Sequence, residues 1–166
     1  PDAEKNACTL LNSWRAANFP IFHIKHNSLT AISPLYEDNP GNEFKSGLVP
    51  KPMEPVITKH VNSAFIGTNL KEQLDAKNIK QLVIIGLTTD HCVSTTARMA
   101  ANLGYETYVV SDATATFNRK AINRADFAPE LVHDIALASL NGEFATVLST
   151  QQTLDHFLKP NKQKLI

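Results

Sequence analysis

Among the side chains able to act as nucleophiles, the thiol of Cys92 occupies the most informative place, within the run QLVIIGLTTDHCVSTTAR at residues 81 to 98. An apolar segment ending at Gly86 reads as a buried strand, a turn of five residues follows, and Cys92 is expected to open a helix. The residues just after it, Ser94 to Ala97, are small. A sulfur at a helix N-terminus feels the positive end of the macrodipole, which favours the reactive thiolate. The backbone N–H groups of the same turn suit the oxyanion of a tetrahedral intermediate. Together these features point to acyl transfer through a thioester. Residue type alone argues the other way, because a lone cysteine is usually a small buried apolar residue. Position at the carboxyl end of a strand, where open parallel sheets bind ligands, is what favours chemistry. Cys8 lies within an amphipathic helical segment, has no such turn, and is assigned to the core.

Lys59 comes second. It follows the short strand Val56-Ile57-Thr58, so its ammonium can reach over the strand ends and favour a nearby thiolate or carboxylate. A surface position is the commoner fate of a lysine. His91 adjoins Cys92, but neighbours at a helix start diverge by about 100°, so His91 is placed at the pocket rim and not as a base. His23 and His26 are three apart on one strand and point to opposite faces, so no metal site is read there, and no cofactor is implied. Asp90, two residues before Cys92, is a possible acid partner, and Asp112 and Asp2 have weaker claims.

The elements that must position these groups alternate. Asp2 to Ala17 is helical, with Asp2 as a cap, and Pro20 to His26 is a strand. Residues 27 to 55 form a long loop rich in Pro, Gly, Asn and Ser, which either walls a pocket or merely connects. Then come a strand from Pro55, a helix capped by Thr68 or Asn69 and ending at Asn78, the strand to Gly86, and the helix from Cys92 to Leu103, closed by Gly104. A strand from Tyr105 to Val110, a helix from Pro129 to Leu140, a strand from Phe144 to Leu148 and a helix from Thr153 to Leu158 complete the chain. Such alternation is the signature of an α/β fold, a parallel sheet with helices on both faces, here in one domain over residues 1 to 166. A right-handed crossover would feed the first helix from a strand, so a further strand is expected upstream of Pro1.

Bulk composition narrows the partners. Sixteen basic residues balance sixteen acidic ones without a long like-charge run, which argues against nucleic acid or an acidic membrane surface and for a small-molecule substrate. No apolar run approaches the ~20 residues of a membrane helix. Two cysteines without paired spacing suit a reducing compartment, and the cytoplasm is the expected location.

Three motifs in order, TKHVNSAFIGTNL (58 to 70), GLTTDHCVSTTAR (86 to 98) and GYETYVVSDATATF (104 to 117), resemble the isochorismatase-like cysteine hydrolases, the superfamily of nicotinamidases and N-carbamoylsarcosine amidase. The similarity runs from the first helix to GEFATVL at 142 to 148. It implies a Rossmann-like, three-layer αβα fold with a six-stranded parallel sheet and an Asp-Lys-Cys triad in which Cys92 matches the nucleophile and Lys59 the lysine. It further implies an oxyanion hole from the backbone N–H groups of Thr88 and Cys92, a cis peptide at Leu87-Thr88, a pocket position for Phe65, and assembly into dimers or tetramers. The family aspartate sits at the end of a first strand, in a motif like D-x-Q, and no residue here matches it. The expected activity is cleavage of an amide-like C–N bond; the alternatives are vinyl-ether hydrolysis of the isochorismate type, whose practitioners generally lack the cysteine, and a non-catalytic binding or assembly role.

Overall fold

The computed structural model of the chain describes residues 2–159. Helix α1 (Ala3–Ala16) buries Ala7, Leu10 and Leu11, the stripe that its spacing dictates. Asp2 stands at the N-cap, but its side chain makes no capping bond. β1 (His23–His26) and β2 (Val56–Lys59) pair in parallel, with His26 directly beside Lys59. Between them the loop is ordered by two short 3-10 turns, Pro40–Asn42 and Ser46–Leu48, and by a buried Asn42–Asn27 side-chain bond of 2.7 Å. α2 (Leu70–Ala76) leads to β3 (Gln81–Leu87), a π-helical turn (Thr89–Val93) and α3 (Ser94–Asn102). After β4 (Glu106–Ala115) come the antiparallel pair β5 (Arg119–Lys120) and β6 (Asp126–Phe127), then α4 (Pro129–Leu140), β7 (Thr146–Leu148) and α5 (Thr150–Leu158).

β4 is the centre of the molecule, flanked in parallel by β3 and β7. Its alternation fixes the layers. Val109 packs with Val93, Ala97, Leu137 and Leu140 of the α3 and α4 side, whereas the next residue, Val110, packs with Ala7 and Leu10 of α1. Helices therefore cover both faces of an α/β sheet, as the alternating pattern predicts. The single six-stranded sheet is not what the described residues form: they pair as β1-β2, β3-β4-β7 and β5-β6. The physical reason is a groove. The free edges of β1 and β3 face a common apolar trough of about 840 Å³ lined by residues such as Leu10, Trp14, Ile24, Leu74, Val83 and Ile85. Among the described residues no strand pairing spans it, so β1-β2 and β3-β4-β7 stand as separate sheets. Among the described residues, no helix is long and apolar enough to cross a membrane.

Two boundaries differ from the sequence reading near the site. The helix expected to open at Cys92 opens at Ser94, because Val93 N–H bonds five residues back to the Thr88 carbonyl (3.2 Å) and widens the first turn. β4 also runs five residues beyond Val110: after Ile84↔Val109 the register resumes at Gly86↔Thr114, a bulge that lengthens the strand where its own residues, SDATA, carry little β preference.

The long loop is pinned at its far end by Glu54. Its carboxylate takes two bonds from Arg15 (2.7 and 2.8 Å), one from the Lys51 N–H (2.9 Å), and contacts His23 Nε2 at 2.7 Å. Arg15 above all holds this carboxyl well below the usual carboxylate range, against the opposing effect of burial. A depressed folded value stabilises the fold above the unfolded carboxyl value near pH 4.3, and that contribution disappears as pH falls through the folded value. Glu54→Gln should therefore lower stability by about 1.5–3 kcal/mol at pH 7 and by progressively less toward pH 2. Urea midpoints of both proteins across that range check it; a gap that does not narrow in acid contradicts the assignment.

Candidate functional site

The alternation of β2 builds the site. Val56 and Thr58 face outward, while Ile57 and Lys59 face inward. Lys59 thus runs its aliphatic stem through the interior and is only 3% exposed. Its ammonium emerges at the strand ends and donates to His26 Nδ1 (3.1 Å), the Val61 carbonyl (2.9 Å) and Cys92 Sγ (3.2 Å). An ammonium has three protons, and each has an acceptor. Among the described residues, no carboxylate lies within ion-pair distance of it. Cys92 itself is half-buried and a free thiol, with Asn62 Oδ1 3.7 Å away.

The turn that carries Cys92 is fixed from three sides. The Leu87-Thr88 peptide is cis, as the resemblance implies. Thr89 is fully buried and its hydroxyl meets His133 Nδ1 at 2.9 Å. Asp90 accepts from Arg119 Nε (2.7 Å), Arg119 Nη2 (3.2 Å) and the Thr116 hydroxyl (2.6 Å). Burial opposes ionisation of Asp90, but these donors outweigh it and hold the carboxyl well below the usual range. Asp90 is thus a turn anchor. On the far wall, the Ala64 N–H donates to Thr96 Oγ1 of α3 (3.1 Å), tying the loop after Lys59 to the helix after Cys92.

The structure brings Cys92, Lys59 and the Thr88 backbone together at the ends of β2 and β3. The His91 side chain is more than half exposed, with Nδ1 3.4 Å from Arg119 Nη2. Phe65 stacks its ring on Tyr105 (centroids 5.8 Å apart), packs against the cluster of Ile57, Leu70 and Leu74, and lines the groove between β1 and β3. Asp112 accepts from both the N–H and the hydroxyl of Thr150 (2.7 and 2.8 Å), and Asp2 sits at the start of α1. Cys8 faces Gly47, where any Cβ would collide with its sulfur. His26, Asn62 and Arg119 are the contributors that the sequence reading passed over. His26 had a usable signal, since aligning the ends of two adjacent parallel strands sets it beside Lys59. His23 and His26 indeed serve different partners, Glu54 and Lys59.

Parallel strands covered by helices, with a cysteine and a buried lysine meeting at their carboxyl ends, define an α/β fold with a candidate site at the strand ends. The chain belongs to the isochorismatase family: the isochorismatase domain matches residues 1–152. It is 45% identical over 157 residues, 95% of this chain and 84% of the relative, to the isochorismatase family protein YrdC of Bacillus subtilis (strain 168). An isochorismatase-family structure from Chromobacterium violaceum ATCC 12472 superposes with a TM-score of 0.89 at 38% identity, covering 93% of this chain and 80% of that one. N-carbamoylsarcosine amidase from Thermoplasma acidophilum gives 0.72 at 26% identity, covering 90% and 83%. The protein is an isochorismatase-family hydrolase.

Asp90→Asn keeps the shape of the turn anchor and removes its charge. It should cost about 1.5–3 kcal/mol, because it leaves Arg119 half-buried and facing a neutral amide. A drop in the urea midpoint, with faster amide exchange confined to residues 88 to 93, is the expected result; unchanged exchange there would refute the anchoring role.

Proposed function

We propose that the chain is a cysteine hydrolase that cleaves an amide-like C–N bond of a small molecule, with Cys92 as nucleophile and Lys59 as its electrostatic partner. The observation that carries this reading is the 3.2 Å contact between a buried ammonium and a thiol at the strand ends. A buried cation is costly unless an anion answers it, so Lys59 favours the thiolate of Cys92 or a carboxylate beside it. The amide-cleaving activity named for N-carbamoylsarcosine amidase, which shares this fold, supports the choice of bond.

In this scheme the general base is a carboxylate on a strand seated in the groove between β1 and β3. α1 begins near the carboxyl end of β4, where Asn6 Nδ2 donates to the Asp112 carbonyl at 2.7 Å. A strand entering α1 by a right-handed crossover therefore runs parallel to β3, ends beside Lys59, and joins the two parallel sheets into one of six strands.

Cys92 gives its proton to that carboxylate, and the sulfur bonds to the substrate carbonyl carbon. The oxygen becomes anionic against the backbone N–H groups of Thr88 and Cys92, an interaction for which each donor contributes about 10²–10³ in turnover. The C–N bond breaks as the carboxylic acid returns its proton to the departing ammonia or amine. Water, deprotonated by the same carboxylate, then attacks the thioester carbon; the S–C bond breaks and the thiol is restored. The enzyme acts as a single domain in a dimer or tetramer, and the 27 to 55 loop supplies part of the substrate wall.

Cys92→Ala, assayed for ammonia release against a panel of small amides, should lose at least about 10³-fold of any activity the unaltered protein shows. Undiminished release would discard the nucleophile.

A further inference from the structure

We propose that His26 is the positioning residue of this site: its unprotonated Nδ1 accepts from the Lys59 ammonium and holds that charge against Cys92 Sγ. The inference rests on the reading of Cys92 and Lys59 given above and adds a side chain that bonds to the ammonium, not to the sulfur.

Lysine has only donors, so the ring nitrogen 3.1 Å from Nζ must be the acceptor, and the ring's proton is on Nε2. The ring starts from a fixed point beside the lysine, because His26 and Lys59 are register partners in the parallel pair and the His26 backbone belongs to the ladder. Lys59, by contrast, reaches the site on a flexible four-carbon stem. Of its three acceptors, the Val61 carbonyl belongs to the loop after β2 and Cys92 is the group to be activated. His26 is the remaining one, and it comes from a different strand. Removing it leaves one N–H of a buried ammonium without a partner, and the stem is then free to turn.

The environment keeps the ring in its accepting form. Burial first, then the charges of Lys59 and His60, hold His26 below the usual imidazole value, while a backbone contact with Val61 opposes them. The groups facing it are Lys59 and His60 from the end of β2 and, across the ammonium, Cys92 from the turn after β3; His60 is itself turned to the Asn27 carbonyl through Nδ1 at 2.8 Å. Protonating His26 converts Nδ1 to a donor and sets a like charge against Lys59, so the site loses its alignment in acid.

Iodoacetamide alkylation of Cys92, followed by peptide mapping with Cys8 as internal control, tests this from pH 4.5 to 8 without any substrate. The proteins compared are the unaltered chain, His26→Leu and His26→Asn. Asn can present an oxygen where Nδ1 stood and does not titrate. His26→Leu should slow Cys92 about tenfold at pH 7 and leave Cys8 unchanged. His26→Asn should keep the fast rate and abolish the fall in acid that belongs to the ring. A fast Cys92 indifferent to Leu at position 26, or one slowed equally by Leu and Asn, overturns the inference alone. A Cys92 in the unaltered protein no more reactive than Cys8 brings down the nucleophile and the inference together.

Discussion

A cation carried into a protein interior has to be met by acceptors, and the ammonium of Lys59 imposes that demand on everything around it. Only 3% of the residue is exposed, and its three protons go to a ring on β1, a carbonyl in the loop after β2 and the sulfur after β3. Three separate chain segments must therefore hold their relative positions for one side chain to remain charged. The parallel register of β1 and β2 provides the first, the Ala64–Thr96 bond steadies the second, and the buried Thr89 with the Asp90–Arg119 pair fixes the third. Much of the sequence near the strand ends serves this geometry and not the core.

The apolar groove is the other organising feature. Leu10 and Trp14 line it from α1 and Leu74 from α2, while the strands on either side are parallel. Such a slot is shaped for a strand, since both its walls offer unpaired backbone and both its faces offer side chains to bury.

The sequence was most readable where periodicity and punctuation agree. Pro129 to Leu140 and the stop at Asn141-Gly142 follow from a proline at the first helical position and a glycine at positive φ, and both stand as read. That Cys92 and Lys59 meet was legible because both follow parallel strands and so share their carboxyl ends. What escaped depended on contacts between distant segments. The extension of β4 over SDATA is imposed by pairing with Gly86 and Leu87, and the hairpin of β5 and β6 has two residues per strand, too few for any pattern. The start of α3 moved to Ser94 because a π turn has no signature in residue type. His26 was weighed only as a metal ligand, when its role is set by which residue of the next strand lies opposite. Glu54 drew no notice in a loop, although it gathers Arg15, His23 and Lys51.

The pairing of Lys59 Nζ with Cys92 Sγ, 3.2 Å apart, is proposed to favour the thiolate. Thiolate absorbance in the ultraviolet, followed against pH in a Cys8→Ser background, measures it directly. Lys59→Met should move the appearance of the band to distinctly more alkaline solution. Superimposable curves for the two proteins would contradict the account.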